Sequence, residues 1–93
     1  MENEKQKIRE ITKLVKKILR ISHKEDDIIL ELHAEHAISH LENSCSKITE
    51  RLFNKLKSIL ITHVVALYNE ELTSEKLEFI NIFYRSHCNY KMY

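Results

Sequence analysis

The feature that most constrains this chain is that none of its 93 residues is glycine or proline. Proteins built on β-sheets need those residues at hairpin turns, where the backbone must adopt a positive or a fixed φ. Helices joined by short polar turns can do without them. The sequence therefore predicts an all-α fold. The same absence removes the glycine-rich loops that bind nucleotide phosphates, so nucleotide-dependent chemistry of those types is not expected.

The spacing of apolar residues predicts a small bundle of about four helices in a single domain, residues 1–93. The predicted helices cover about residues 4–20, 26–43 and 47–69, and a fourth starts after a break at 70–74. The third is predicted to be the most buried, because its second half is apolar nearly all round.

Two local signals predict where helices begin. Ser22, with Glu25 three residues later, fits a capping box ahead of the second helix. Thr73 or Ser74 is a plausible N-cap for the fourth helix. The polar stretch from Asn43 to Ser46 predicts the boundary between the second and third helices.

The composition favours a soluble protein of a reducing compartment. The chain has two cysteines, Cys45 and Cys88, whereas a secreted domain of this size usually needs more disulfides. Its N-terminus is charged from Glu2 onward and has no apolar segment typical of a signal peptide. The apolar run at residues 59–61 ends at Thr62, far short of a membrane span.

Histidines and cysteines are the candidates for chemistry. His33, His36 and His40 share one side of the second predicted helix, and two histidines four residues apart can chelate a metal. A third ligand is not evident from the sequence, so we favour partly buried histidines at a helix–helix or subunit contact. His63 lies on an apolar helix face, where a buried histidine usually has a hydrogen-bond partner. Neither cysteine has a supporting motif, and we predict no enzyme, no cofactor and no metal site.

The first helix carries an arc of basic side chains. Residues 1–20 contain seven Lys or Arg and three Glu, a net charge of +4, whereas residues 21–50 have a net charge of −5. This face could simply be solvated, could contact the DNA backbone, or could meet the acidic face of a neighbouring subunit in a head-to-tail ring. The candidate residues for a charged or DNA-facing interface are Arg9, Lys13, Lys16, Lys17 and Arg20.

The C-terminal segment, residues 74–93, concentrates aromatic side chains around an arginine. Tyr and Arg are typical anchors of protein interfaces. We therefore expect this segment to bind a partner through Tyr84, Arg85, Tyr90 and Tyr93. In the alternative interpretation Phe79, Phe83 and Tyr84 fill the core and the last residues fray.

The order of these features resembles the head–tail connector (adaptor) family of long-tailed bacteriophages. The likeness begins with Val15-Lys-Lys-Ile-Leu-Arg-Ile21 and with the acidic pair Asp26-Asp27 before Ile28-Ile-Leu-Glu-Leu32. It continues through Ala37-Ile-Ser-His-Leu-Glu42 and resumes at Val64-Val-Ala-Leu-Tyr-Asn69. It covers about residues 11–69.

The resemblance implies a structural protein of the virion neck, assembled in the cytoplasm of the bacterial host. Members form a homo-oligomeric ring, commonly a dodecamer, beneath the portal protein and beside other neck proteins. DNA passes through the ring without sequence-specific binding, and no membrane is involved. Their C-terminal segment reaches into the portal. Members usually have a loop containing Gly or Pro after the third helix, whereas residues 70–74 are short and contain neither.

Two other functions are compatible with the residues. A small nucleic-acid-binding regulator would use the basic first helix. A helical inhibitor of a host protein would use the acidic second helix as its binding face.

Overall fold

The computed structural model describes residues 2–45 and 48–88, which form helices and no strand. The helices are α1 (Glu2–Leu19), α2 (Asp27–Ser44), α3 (Glu50–Lys55), α4 (Lys57–Tyr68) and α5 (Ser74–Cys88). The all-α prediction is confirmed. None of these helices is both long and apolar enough to cross a membrane.

The predicted third helix is divided in two at Leu56, where φ is −97° and ψ is 8°. No glycine or proline marks this break. Leu56 is completely buried, and its N–H still donates to the carbonyl of Leu52, while its own carbonyl accepts from Leu60. The chain therefore turns slightly without losing its backbone hydrogen bonds. Thr49 caps α3 through a bond from the Leu52 N–H to its hydroxyl at 3.1 Å.

Helix α4 lies at the centre of the bundle and packs against each of the other four helices. Its central position follows from its sequence, which is apolar on nearly every side. The prediction that the third helix is the most buried is confirmed for this part of it. The core is formed by side chains from all five helices, namely Ile11, Val15, Leu30, Ala34, Ala37, Ile38, Leu41, Leu52, Phe53, Leu56, Leu60, Val64, Ile80 and Tyr84.

Two helices end in turns that normally use glycine. After α1, Arg20 has φ 59°, and after α4, Glu70 has φ 56°. At each end two backbone bonds close the turn in the Schellman pattern, with Ile21 N–H donating to the Lys16 carbonyl and Glu71 N–H to the Ala66 carbonyl, both at 2.8 Å. The chain thus makes its helix–helix turns without glycine by placing two ordinary residues in the left-handed region.

The start of α2 differs from the sequence prediction. The N-cap is Asp26, and its side chain makes no capping bond; the capping box of Ser22 and Glu25 is not formed. The Asp26 carboxylate instead accepts a hydrogen bond from the Tyr68 hydroxyl of α4. The Asp26 side chain therefore links the start of α2 to α4 and does not cap its own helix.

Helix α5 begins as predicted. The Thr73 hydroxyl accepts from the Lys76 N–H at 3.1 Å, the expected N-cap bond. At the end of α2, Cys45 is buried and disulfide-bonded. The low cysteine count, which favoured a reducing compartment, did not predict this bond.

Candidate functional site

The basic residues predicted as an interface fall into two groups. Arg9, Lys13, Lys17 and Arg20 are exposed, and none of them forms an ion pair with another described residue. Lys16 is different, since its ammonium group lies 2.5 Å from the Asp27 carboxylate and ties α1 to the start of α2. Four of the five side chains are therefore available to a partner, and Lys16 has a role within the monomer.

The aromatic C-terminal candidates also divide. Tyr84 is 0% exposed, so its assignment to an interface is wrong for this monomer. The helix turns it inward, where its ring fills the core between α2 and α4. Arg85, the next residue, is exposed. Tyr90 and Tyr93 lie outside the described residues.

An apolar groove lies between α1, α4 and α5. It has a volume of about 600 Å³, and its lining includes Ile18, Ile61, Val65, Phe79 and Ile80. Phe79 is 61% exposed and Ile18 is 58% exposed, which is unusual for side chains of this size. Glu71, Glu75 and Lys76 stand at the edge of this apolar groove. The sequence indicates one part of this groove, because Phe79 does not share the face of α5 that carries Ile80 and Tyr84.

A second apolar surface lies on the outside of α2. Ile28, Ile29 and Leu32 are 73%, 49% and 57% exposed. Residues 28 and 32 are one helical turn apart, and residue 29 lies beside them, so the three side chains form one apolar ridge. The sequence places Ile29 and Leu32 beside the histidines of this helix, on a side that it predicts to meet another helix or another subunit.

Three histidines from two helices lie close together, of which His63 is buried, His40 is half-buried and His36 is exposed. The ring centroid of His63 on α4 lies 5.4 Å from that of His40 and 6.1 Å from that of His36, both edge to face. His63 Nδ1 is 3.3 Å from the Tyr84 hydroxyl, and His40 Nε2 contacts the Asn81 side-chain oxygen. The hydrogen-bond partner expected for a buried His63 is thus confirmed. The half-buried His33 makes no ring contact or hydrogen bond with these side chains among the described residues, but burial and the charge of His36 lower its pKa.

Burial decides the protonation of His63 and Tyr84. His63 is 0% exposed, and desolvation together with the charges of His40 and His36 lowers its pKa to about 4. Burial also raises the pKa of the Tyr84 hydroxyl. His63 and Tyr84 are therefore both neutral near pH 7, and His63 Nε2 has no hydrogen-bond partner among the described residues.

The geometry of the cluster favours packing over chemistry. His63 Nδ1 and His40 Nε2 are engaged by neutral side chains, and among residues 2–45 and 48–88 no carboxylate is hydrogen-bonded to either ring to orient it as a catalytic base. Within the described residues no group of three or more His, Cys, Asp or Glu is arranged to hold a metal ion. Cys45, as a disulfide sulfur, is not a thiolate nucleophile in this structure.

The exposed surfaces are consequently the better candidates for function. They are the basic face of α1, the apolar groove and the apolar ridge. Comparisons with protein-family models, with curated proteins and with solved structures found no match to this chain.

Proposed function

We propose that this chain is a structural subunit of a phage neck, a head–tail connector that assembles into a ring under the portal protein. The proposal starts from the resemblance carried by residues 11–69. The segments that carry it lie on α1, on α2 and on the end of α4, which together form most of the bundle.

The observation that carries the proposal is the amount of apolar surface that the monomer leaves exposed. Six large apolar side chains are about half exposed or more, namely Ile18, Ile28, Ile29, Leu32, Phe79 and Ile82. A domain of 93 residues that fills its own core has no structural need for them outside. The groove and the ridge each bring several of these side chains together, and exposed apolar patches of this kind are typical of contact with other proteins. A subunit that works by assembly would cover it.

Charge would add specificity to such an assembly. The exposed Arg9, Lys13, Lys17 and Arg20 form a basic face, while residues 70–78 carry four Glu and one Lys. Opposite charges on different sides of one molecule favour head-to-tail association and fix its register. In the ring, DNA would pass without sequence-specific contacts. The segment from Arg85 through Tyr90 and Tyr93 would reach the portal.

Size-exclusion chromatography with light scattering tests this function. The chain would be run alone and with the portal protein of the genome that encodes it. A ring-sized species that co-elutes with the portal is the expected result. A chain that stays monomeric and elutes apart from the portal would refute the connector role. The variant Arg85→Glu should weaken co-elution with the portal, and the exposed-site variant Glu50→Gln serves as its matched control.

One observation favours a second function. The four exposed basic side chains of α1 would also suit the phosphate backbone of a nucleic acid. A regulator of this kind would bind DNA as a monomer, with an affinity that falls steeply as salt rises. Fluorescence anisotropy with duplex DNA over a salt series separates the two functions. We expect weak binding by the monomer.

A further inference from the structure

The apolar groove and the depression beside the apolar ridge open on different sides of helix α1. Helix α1 connects the two sides. Ile18 of α1 lines the groove, while Arg9 lines a depression shared with Ile28 and Leu32 of the ridge. Ile18 and Arg9 are nine residues apart, which is two and a half helical turns, so their side chains leave α1 in opposite directions. The ridge therefore cannot fill the groove of its own chain.

The charges around the two surfaces are complementary. Beside the groove, residues 70–78 have a net charge of −3. Beside the ridge, Lys5 and Arg9 are balanced by Glu31 and Glu35, which line the same depression.

The other basic side chains, Lys13, Lys17 and Arg20, are exposed and share the helical face of Arg9, so the basic face of α1 continues beyond this depression. An acidic edge therefore borders the concave apolar surface, and a basic face borders the convex one. A second copy of this chain would bring a basic face to the acidic edge.

We propose that the apolar ridge of one copy seats in the apolar groove of the next copy. Ile28, Ile29 and Leu32 enter the space beside Phe79 and Ile18, and the basic face of α1 approaches the acidic edge at residues 70–78. The contact joins two different surfaces, so it is heterologous and repeats from copy to copy. It deepens the proposed assembly role and rests on it, by stating which surfaces join the subunits.

Two variants test this contact, and each removes an apolar side chain from only one of the two surfaces. Phe79→Ser removes an exposed anchor of the groove, and Ile28→Ser removes the most exposed residue of the ridge. Each should weaken self-association about 30-fold or more, the effect of losing a central apolar anchor. Ile82→Ser is the matched control, because Ile82 is 54% exposed on α5 but does not line the groove. Circular dichroism melts verify that all three variants fold.

Mixing the two broken variants gives the decisive result. Phe79→Ser keeps an intact ridge, and Ile28→Ser keeps an intact groove. An equimolar mixture should form a heterodimer by sedimentation velocity and nothing larger, whereas each variant alone stays monomeric. A mixture that stays monomeric overturns the proposal. So does a wild-type chain that is monomeric at its highest soluble concentration, or a dimer that Ile28→Ser breaks and Phe79→Ser leaves intact, because that dimer would join ridge to ridge.

Binding to the portal protein is measured separately for the wild type and for the same variants. Wild-type self-assembly that obeys the mixing test without any portal binding would refute the connector function and keep this contact. If the chain binds the portal and both Phe79→Ser and Ile28→Ser still assemble like the wild type, the connector function is kept and this contact is refuted.

Discussion

His63 is the residue whose environment has the clearest measurable consequence. Its folded pKa is lowered to about 4 from 6.5, so between these values the unfolded chain binds a proton that the folded chain excludes. Its contribution to stability is complete above about pH 6.5 and is lost as the pH falls toward 4. The full difference is roughly 3 kcal/mol. Urea denaturation between pH 7 and pH 4.5 measures it.

The variant His63→Leu isolates this effect, because leucine has no proton to gain. We expect a flatter dependence of stability on pH over that range than in the wild type. His23→Gln, at an exposed position of the α1–α2 turn, is the control and should keep the wild-type slope. An unchanged slope in His63→Leu would show that His63 is not the buried neutral base described above.

Tyr84 gives a second prediction at this scale. Its hydroxyl is the partner of His63 Nδ1, and the other ring nitrogen of His63 has none among the described residues. Tyr84→Phe should therefore lower the free energy of unfolding by about 1–2 kcal/mol, the usual result of orphaning a buried polar group. Arg85→Ala, next in sequence but exposed, should leave thermal stability unchanged. Equal melting temperatures for Tyr84→Phe and the wild type would show that the hydrogen bond between His63 and Tyr84 does not stabilise the fold.

The sequence predicted His63 better than Tyr84, for a physical reason. His63 sits among apolar residues on every side of α4, so its burial could be inferred from neighbours in the chain. Tyr84 precedes Arg85 in a helix with apolar residues on two faces, and only the rotation of that helix decides which one turns inward. That rotation is set by contacts with α2 and α4, which the sequence does not display.

At the scale of helices, the left-handed turns after α1 and α4 predict that glycine at these positions would stabilise the fold. Glu70 has φ 56°, where a Cβ costs about 1 kcal/mol and glycine has no such cost. Glu70→Gly should raise the free energy of unfolding relative to Glu70→Ala by about 1 kcal/mol. The alanine variant is the matched reference, because it removes the same charge and keeps the Cβ. Differential scanning calorimetry of the pair measures the difference.

Glu78→Gly against Glu78→Ala provides the opposite control, since Glu78 lies inside α5. There glycine should be the less stable of the two by about 1 kcal/mol. If glycine lowers stability at both positions, residue 70 is not in a left-handed conformation.

Helices were the most predictable part of this protein. Apolar periodicity located both ends of α1 and α2 to within one or two residues, and it located the start of α5. Of the two predicted caps of α5, Thr73 and Ser74, the structure uses Thr73. The break at Leu56 and the cap at Asp26 were not predictable. Both depend on tertiary contacts, since Leu56 is held by the core and Asp26 by Tyr68.

For the whole molecule, we expect neighbouring lysines of the basic face to affect different properties, assembly in one case and monomer stability in the other. Reversing Lys13 and Lys17 to Glu should abolish ring formation at unchanged monomer stability, because both side chains are exposed. Reversing Lys16 should destabilise the monomer itself, because it places two carboxylates side by side at Asp27. Light scattering reports the first effect and thermal melting the second. Full assembly by Lys13→Glu/Lys17→Glu would reject a role for this face.

Sequence reasoning reached the fold class but not the surfaces that would join the subunits. The absence of glycine and proline was enough for an all-α domain. The groove, however, is assembled from Ile18, Val65 and Phe79 on three different helices, and no local pattern links them. For the ridge, the sequence shows that Ile29 and Leu32 lie off the buried face of α2. Their exposure also depends on how α1 packs against α2, which the sequence does not show.

Native mass spectrometry of this chain mixed with its portal protein tests the central claim most directly. The connector role predicts one dominant complex in which each portal ring carries a full ring of copies of this chain, with no series of partly filled rings. A spectrum with free portal rings beside single copies of this chain would contradict it.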